Sequence, residues 1–511
     1  MTNQEQLQFE VDEISTSEEL ALNPKGYTGL YSFHKYWGKK PSETIGFLIE
    51  KLSDPNDIVC DPFVGSGVVV VEALSRSRRA IGIDLNPIAI EITKFLVNPP
   101  STELVKSAFL KLKSQLQAQI NESYAIQQPS RTASHYLWRD GKLESVWTKN
   151  PTSRFRVELA PQESDVDLSL SFDGYRPRLF RQPLLFNNSR INTSSNLQTS
   201  DLFTGRALRN IELILDAVLL LPSPLKETFL LCLTASSGQM SRMVFAITNR
   251  GKTTGNVSTR IEVGSWVIGY WRPKLNFEVN VWNCYEGKVT KLIKSLSQLR
   301  RTRTYSIADT PSQVLQGDAS ASIVLGDALA TLKALPPDSL SLIVSDPPHS
   351  DRIPYLELSE MWNVILGAQS DFEKEIVVSN ALGRKKGKYE YNLKMSEFLD
   401  LVNITLKPGG VFALIYNARD AESWRYFNEV NNGRALRYAG YLPLKYSANS
   451  VVQDNREGSL ENDFVLVFTK GFSSLGAIKS TKGWSSGHPH TNHNGQKNDN
   501  DFSDRIESVQ E

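Results

Sequence analysis

The feature that most constrains the fold of this chain is a unit at residues 57–96, in which two short apolar runs each end at an aspartate. The first run ends at Asp61 and is followed by a glycine turn, and the second ends at Asp84. Helices are expected at 68–77 and at 87–96, where a proline stands in the first helical turn. Strand, helix, strand and helix in this order predict a βαβ unit of a parallel sheet.

The α/β pattern returns near residue 321, after a long stretch of different character. A buried strand is expected at 341–345, followed by a helix at 395–406 and strands at 411–416 and 464–468. The simplest topology is one α/β domain interrupted by an insert. Its expected parts are a flexible N-terminus (1–20), a discontinuous sheet domain (21–100 and 315–470), an α+β insert (101–314) and a polar, disordered tail (471–511).

The insert mixes helical and strand-like segments. Two Asp-Gly pairs, at 140–141 and 173–174, predict β-hairpins within 136–147 and 165–180. The remaining expected elements are a helix at 102–120, a helix at 208–233 interrupted by prolines near 222, an extended stretch at 257–271 and a basic amphipathic helix at 288–303.

Composition narrows the class of protein. The 511 residues are 40% hydrophobic and 22% charged with a formal net charge of +1, so a nucleic-acid surface would have to be a local patch. Three separated cysteines, Cys60, Cys232 and Cys284, argue against a disulfide framework or a zinc ribbon and predict a reducing cytoplasm. Neither a membrane span nor a secretory signal is expected.

The glycine turn has the residue types of a ligand pocket. Gly65 and Gly67 would let the backbone approach a ligand, and the helix that follows offers free N–H groups. Asp61 suits a cationic amine, and Asp84 could accept hydrogen bonds from two ribose hydroxyls. A chance glycine turn is the alternative, but five fixed positions in one short segment argue against it.

Two motifs carry a family resemblance. Asp-Pro-Phe-x-Gly-Ser-Gly at 61–67 and Ile-Gly-Ile-Asp-Leu-Asn-Pro at 81–87 resemble the cofactor region of the N4/N6 amino-methyltransferases of DNA. The resemblance implies a Rossmann-like sheet that binds S-adenosylmethionine. A third segment, Phe33 to Pro41, resembles the family motif that covers the methionine end of the cofactor. The implied cofactor-binding residues are Lys35, Tyr36, Trp37, Asp61, Pro62, Phe63, Gly65, Ser66, Gly67, Asp84, Asn86 and Asp327, the last of which could equally cap a helix.

The motif Asp346-Pro347-Pro348-His349 ends the expected strand at 341–345 and resembles the catalytic motif of the same family. An exocyclic amino nitrogen is a poor nucleophile because its lone pair is delocalised into the ring. Asp346 and the Pro347 carbonyl could each accept one N–H and favour a pyramidal nitrogen, which is catalysis by positioning and electrostatics.

The family usually has an aromatic residue where this chain has His349, and that residue stacks on the flipped base. We hypothesise that His349 replaces it, the alternative being a slow or inactive site. Aspartate at position 346 favours adenine N6 over cytosine N4. The glycine motif precedes the catalytic motif here, which is the opposite of the order in many relatives and weakens this assignment.

Double-stranded DNA is therefore the expected substrate, and a restriction endonuclease or another defence subunit is the expected kind of partner. The expected DNA-binding residues are Arg384, Lys385, Lys386 and Lys388 in a glycine-flanked loop, and Arg300, Arg301 and Arg303 at the end of the basic helix expected at 288–303. An RNA amino-methyltransferase and a catalytically silent DNA-binding partner are the alternatives. The sequence predicts no metal site, because the tail histidines His488, His490 and His493 fall in the expected disordered segment.

Overall fold

A computed structural model describes most of the chain. The described residues are Pro24, Thr152 and the ranges 26–126, 131–150, 156–194, 196–248, 260–299, 303–349, 353–416, 433–445, 462–471, 475–481 and 483–486. The expected flexible N-terminus, Arg300, Arg301 and the three tail histidines lie outside them.

An eight-stranded, mostly parallel sheet organises the molecule. Its strands are β1 (Ile58–Asp61), β2 (Arg79–Asp84), β9 (Ile307–Ala308), β10 (Ala321–Leu325), β11 (Leu340–Ser345), β12 (Leu406–Tyr416), β13 (Leu436–Lys445) and β14 (Asn462–Lys470). They are arranged in the order β13-β14-β12-β11-β1-β2-β10-β9, and only the β12–β14 and β14–β13 pairs are antiparallel. The expected α/β sheet is thus confirmed.

Helices cover both faces of this sheet. They are α1 (Ser42–Leu52), α2 (Val68–Ser75), α3 (Pro87–Val97), α9 (Pro311–Gln316), α10 (Ala328–Ala334), α11 (Tyr355–Ile365), α12 (Lys388–Thr405) and α13 (Gly476–Lys479). Successive residues of β1 face opposite layers: Val59 packs in the core with α1–α3, whereas Ile58 and Cys60 pack in the core with α9, α10 and α12. Burial on both faces explains why the parallel strands are continuous apolar runs.

Two small sheets and five α-helices form the described part of the middle of the chain. The strands β3 (Ala133–Arg139), β4 (Lys142–Lys149), β5 (Arg156–Leu159) and β8 (Leu275–Val279) pair in the order β5-β4-β3-β8, and β6 (Ala246–Ile247) pairs with β7 (Glu262–Val263). The helices are α4 (Thr102–Glu122), α5 (Glu163–Leu170), α6 (Gly205–Leu219), α7 (Leu225–Met240) and α8 (Val281–Ser297). Their buried residues belong to the same apolar core as α1–α3, so this region packs directly on the sheet helices.

One of the two predicted hairpins is wrong. The Asp140-Gly141 hairpin forms as β3 and β4, but the stretch predicted as a second hairpin contains helix α5. The helix is capped because Asp165 accepts the backbone N–H of Gln162 at 2.9 Å. Further on, the backbone N–H groups of residues 178–180 donate to the carboxylate of Glu212, so they have no need of a neighbouring strand.

Three boundaries also differ from expectation. The basic helix α8 begins at Val281, seven residues before its predicted start, and β9 joins the large sheet although residues 307–308 were assigned to the insert. The tail was expected to be disordered from 471, but α13 is ordered there. Its flanking Leu475 and its own Ile478 are buried, which supplies the apolar anchoring that a disordered tail lacks.

The strand order has a topological switch point at β1, which lies between β2 and β11. From β1 the chain proceeds to β2 on one side, and it later returns to β11 on the other side, with Cys60 aligned with Ile343. Ligands of open parallel sheets bind outside the carboxyl ends of the strands at such a point. The sheet thus brings the ends of β1, β2 and β11 together.

Candidate functional site

The glycine turn after β1 depends on two residues in the left-handed region. Gly65 and Gly67 have φ angles of +50° and +81°, which favour glycine. A Cβ on Gly67 would also lie 2.7 Å from Oγ1 of Thr93 on α3. The glycines therefore allow the chain to turn tightly from β1 into α2 while it packs against α3.

Asp84, at the end of β2, is held in place by two backbone donors. Its Oδ2 accepts the N–H of Gly65 at 2.7 Å, and its Oδ1 accepts the N–H of Asn86 at 2.8 Å. Burial raises the pKa of Asp84 to about 6, and the two hydrogen bonds oppose that rise. The oriented carboxylate keeps lone pairs for further donors, such as two neighbouring hydroxyl groups.

Asp61, at the end of β1, is a buried carboxyl group with 4% exposure. Its Oδ1 accepts the N–H of Phe63 at 3.1 Å. Burial raises the pKa of Asp61 well above its usual range, and the charges of Asp346 and Asp84 raise it further. Because a cation nearby would restore the ionised form, this position favours a ligand that carries an ammonium group.

Tyr36 covers the glycine turn from the segment before α1. Its ring stacks on Tyr355 with centroids 5.8 Å apart, and a Cβ at Gly65 would lie 3.2 Å from it. Asn86, which is 1% exposed, donates to the Tyr36 hydroxyl at 3.3 Å and to Ser359 at 2.7 Å. Tyr36 and Asn86 thus connect the cofactor motifs to α11.

The two neighbours of Tyr36 point into the protein core. Trp37 is buried and stacks on Trp362 with centroids 4.7 Å apart. The ammonium group of Lys35 lies 4.7 Å from the ring centroid of Trp266 and donates to the carbonyl of Val267. Lys35 therefore fastens this segment to the middle region instead of facing the cleft.

One cleft of about 950 Å³ joins these groups at the carboxyl edge of the sheet. The predicted cofactor residues that line it are Tyr36, Trp37, Asp61, Pro62, Phe63, Gly65, Ser66, Asp84, Asn86 and Asp327. Lys35 and Gly67 do not line it. Asp327 also caps α10, since its Oδ1 accepts the N–H of Leu329 at 2.9 Å.

Asp346 and Pro348 line the same cleft. Oδ2 of Asp346 accepts from the Nζ of Lys40 at 2.7 Å, and its Oδ1 lies 3.1 Å from Nε2 of His349. Lys40 also lies 3.3 Å from Asp463 on β14, whose side chain is 1% exposed. Lys40 thus stands between the predicted catalytic carboxylate and a second, buried carboxylate.

The ring of His349 is largely covered. Its side chain is 9% exposed and packs edge-on against Tyr416 with centroids 5.1 Å apart. Nε2 also lies 3.3 Å from the carbonyl oxygen of Ile415. Because both of these neighbours of Nε2 are acceptors, Nε2 carries the hydrogen and donates. His349 orients Asp346 in this structure, and stacking on a base stays a prediction that requires the ring to rotate.

The backbone of the catalytic motif is fixed from α12. The hydroxyl of Tyr391 donates to the carbonyl oxygen of Pro348 at 2.6 Å. Pro347 is buried between the two residues that line the cleft. Tyr391 therefore holds the Pro-Pro backbone in place, a role that the sequence did not predict.

The lining residues that the sequence did not identify include Lys40, Tyr355 and Glu375. Lys40 falls inside the segment Phe33 to Pro41 that resembles a family motif, but only the tertiary fold shows that Lys40 and Tyr355 face the cleft. Glu375 is buried and accepts the N–H of Leu356 at 2.9 Å and a hydrogen bond from Arg384 at 2.6 Å. No local pattern marks it.

The predicted DNA-binding loop is only partly a basic surface. Arg384 and Lys386 are 5% and 8% exposed, so they are turned inward, which corrects their expected role as phosphate contacts. The physical reason is pairing with buried carboxylates and carbonyls of the preceding segment. Lys385 and Lys388 are exposed, as is Arg303 in the second predicted patch.

Within the described ranges, no group of three or more His, Cys, Asp or Glu side chains could hold a metal ion. Over the same part of the chain, no helix combines the length and apolarity that crossing a membrane requires.

Comparison with known proteins confirms the family resemblance for the N-terminal segment. Residues 9–95, which include both cofactor motifs, match the sequence model of the DNA methylase family. Asp61, Gly65, Gly67 and Asp84 all fall within the match.

Three curated relatives share shorter segments. A type II methyltransferase of Methanocaldococcus jannaschii is 25% identical over 138 residues, 27% of this chain and 25% of its own length. A putative methylase of Escherichia coli is 51% identical over 47 residues, 9% of this chain and 21% of its own. A type II methyltransferase of Moraxella bovis is 37% identical over 59 residues, 12% and 23% of the two chains. The matched segments thus span about a quarter or less of each relative.

Proposed function

We propose, from the match of residues 9–95 to the DNA methylase family model, that the chain transfers a methyl group from S-adenosylmethionine to the exocyclic amino group of a DNA base, adenine N6. One observation carries the proposal: Asp346, which is far from Asp61 and Asp84 in the sequence, lines the same cleft as these two residues. The proposal includes the assignment of the mostly parallel sheet to a Rossmann-like methyltransferase fold.

The cleft suits S-adenosylmethionine in its charges. Buried Asp61 favours a cationic partner, as the methionine ammonium group would be. Asp84 is oriented to accept from the ribose hydroxyls, and Asp327 lines the cleft where the adenine amino group would be bound. When bound, the cofactor supplies an electrophilic methyl group on a sulfonium.

The residues of the catalytic motif provide acceptors for the target amine. Asp346 accepts one N–H and the Pro347 carbonyl the other, which directs the nitrogen lone pair toward the methyl group. Lys40 and His349 each occupy one oxygen of Asp346, and each oxygen keeps a lone pair that can accept an N–H of the target amine. Lys40 also contacts Asp463, so it has a second carboxylate partner if it moves away from Asp346.

Aspartate in the first position of the motif supports adenine over cytosine, and double-stranded DNA is the proposed substrate. The type II relatives support a place beside a restriction endonuclease. Cytoplasmic location belongs to the same proposal, because chromosomal DNA is there.

The proposal is tested by incubating the protein with labelled S-adenosylmethionine and with DNA or RNA, followed by digestion to nucleosides. N6-methyladenine in DNA is expected. N4-methylcytosine would overturn the adenine assignment, and methylated RNA alone or cofactor binding without transfer would overturn DNA methylation.

Two aspartate variants make the same experiment specific for the cleft. Asp346→Asn should abolish transfer, whereas Asp338→Asn should retain it, because Asp338 pairs with Lys470 at the surface. Equal activity of the two variants would remove Asp346 from the reaction.

A further inference from the structure

The segment of residues 379–388, here called the anchored loop, is held from the inside by Arg384. Its guanidinium group donates to Glu357 at 2.8 Å and to Glu375 at 2.6 Å. The side chains of all three residues are at most 7% exposed. The same group lies against two aromatic rings, 5.3 Å from the centroid of Phe186 and 4.9 Å from that of Phe372. A cation clamped in this way gives the loop a defined conformation.

Further contacts tie the anchored loop to the cleft. Ser379 donates to Glu357 at 2.6 Å and pairs through its backbone N–H with the carbonyl of Lys386 at 3.0 Å. The Lys386 ammonium group lies 3.0 Å from Glu390. Just beyond, Tyr391 contacts the Pro348 carbonyl and Glu375 lines the cleft. The loop therefore has a fixed position beside the catalytic motif.

The tip of this loop is apolar and fully exposed. Leu382 is 93% exposed, although Ala381 before it and Arg384 shortly after it are buried. Single exposed leucines are common and need no explanation by themselves. Here the leucine projects from a loop whose Arg384 binds Glu375, a residue that lines the cleft.

The surroundings of Leu382 carry positive charge. Lys385 and Lys388 are exposed, and residues 381–389 contain no acidic side chain. Phosphate groups of a nucleic acid complement such a segment. A nucleic acid offers stacked bases that an apolar tip can contact and phosphates that flanking lysines can bind. This combination fits a protein surface or a lipid less well.

We propose that Leu382 is a wedge: it enters the DNA base stack and fills the gap left by the extruded target base, while Lys385 and Lys388 contact the flanking phosphates. This inference rests on the proposed function. Extruding a base costs stacking and pairing energy, and an apolar side chain inserted between base steps recovers part of the lost contact. A clamped loop makes this insertion favourable because it has little conformational entropy left to lose.

The test compares Leu382→Ala with the wild-type protein on two duplexes that carry a sequence methylated by the wild type. In one duplex the target base is paired, and in the other it lies opposite an abasic site, so that less energy is needed to extrude it. We expect kcat/KM to fall roughly tenfold on the paired target and to stay within about twofold on the unpaired one. Leu220→Ala is the control, because Leu220 is 84% exposed and lies far along the chain at the end of α6.

A second readout measures extrusion itself. With 2-aminopurine at the target position, binding of the wild type should raise fluorescence, and Leu382→Ala should lower that rise without changing the affinity for the cofactor. Equal losses on both duplexes would show a structural role, and no loss on either would show that Leu382 does not enter the stack. Both results overturn the wedge while methylation by the wild type stands. Absence of transfer by the wild type to any DNA overturns the proposed function and the wedge with it.

Discussion

The proposed cofactor side and the proposed target side of the cleft, here called the cofactor side and the target side, are built in different ways. On the cofactor side, Tyr36, Asp61, Gly65 and Asp84 come from fewer than fifty consecutive residues, and backbone hydrogen bonds orient the carboxylates. On the target side, the arrangement depends on ion pairs between distant segments, such as Lys40 with Asp346 and Arg384 with Glu357.

This difference predicts that cofactor binding and positioning of the target amine depend on different residues. A turn fixed by glycines and backbone donors forms wherever its local sequence is present. A buried ion pair forms only when the whole domain has folded, and it is lost when one partner is removed. We therefore expect substitutions on the target side to lower the stability of the protein and the rate of methyl transfer. Substitutions on the cofactor side should instead lower the affinity for the cofactor.

The largest expected effect is that of Arg384→Ala on stability. Removing the guanidinium group leaves Glu357 and Glu375 buried without their cation, which costs about 3–5 kcal/mol. The free energy of unfolding, measured with denaturant, tests this. The neighbouring Lys385→Ala should change it by less than about 0.5 kcal/mol, because Lys385 is exposed. Equal losses for the two variants would refute the clamp.

Next in size is the effect of Asp346→Asn on transfer. Loss of the charged acceptor should lower kcat about 10²–10³-fold, the usual range for one catalytic electrostatic contact. The dissociation constant of S-adenosylmethionine should change little, because Asp61 and Asp84 remain. Single-turnover rates and calorimetric titration measure the two quantities separately. A variant that loses cofactor affinity in parallel with kcat would show that the two sides of the cleft are not independent.

The cofactor side was also the part that the sequence predicted well, and for the same reason. The ends of β1 and β2 follow from apolar runs and from one glycine turn, which are local signals. The central strands were likewise found, because strands buried on both faces are continuous apolar runs.

The errors fall where long-range contacts override local patterns. An Asp-Gly pair at 173–174 predicted a hairpin, but the backbone donors of residues 178–180 are taken by Glu212 from α6. Lysine and arginine in the anchored loop looked like a phosphate surface, yet Arg384 binds buried carboxylates and Lys386 binds the Glu373 carbonyl and Glu390. No sequence pattern shows these partners. Glu375 reaches the cleft from a stretch without any motif.

The third prediction concerns pH and the cofactor side alone. The pKa of Asp84 is raised to about 6, so it is ionised above pH 6 and protonated below it. Donors on the ligand favour the ionised form, and binding therefore lowers this pKa and releases a proton in acid. We expect affinity for S-adenosylmethionine to fall by up to about tenfold for each pH unit below 6.

Calorimetry in two buffers of different ionisation enthalpy measures the released proton directly. Asp84→Asn should release fewer protons at pH 5.5, whereas Asp346→Asn should behave as the wild type. An affinity that stays constant between pH 8 and pH 5 would show that Asp84 does not accept from the ligand.

The smallest expected effect distinguishes the two kinds of lysine in the anchored loop. Lys385 is exposed, so Lys385→Ala should weaken DNA binding only a few-fold and reduce the slope of log K against log salt by about 0.9, the value for one lost phosphate contact. Lys386 is buried against the Glu373 carbonyl and Glu390, so Lys386→Ala should leave that slope unchanged while it lowers stability. Binding of one labelled duplex across a series of salt concentrations gives both slopes. A reduced slope for Lys386→Ala would mean that this side chain swings out to DNA, and the loop would then be a mobile basic arm on the target side, as its composition alone had suggested.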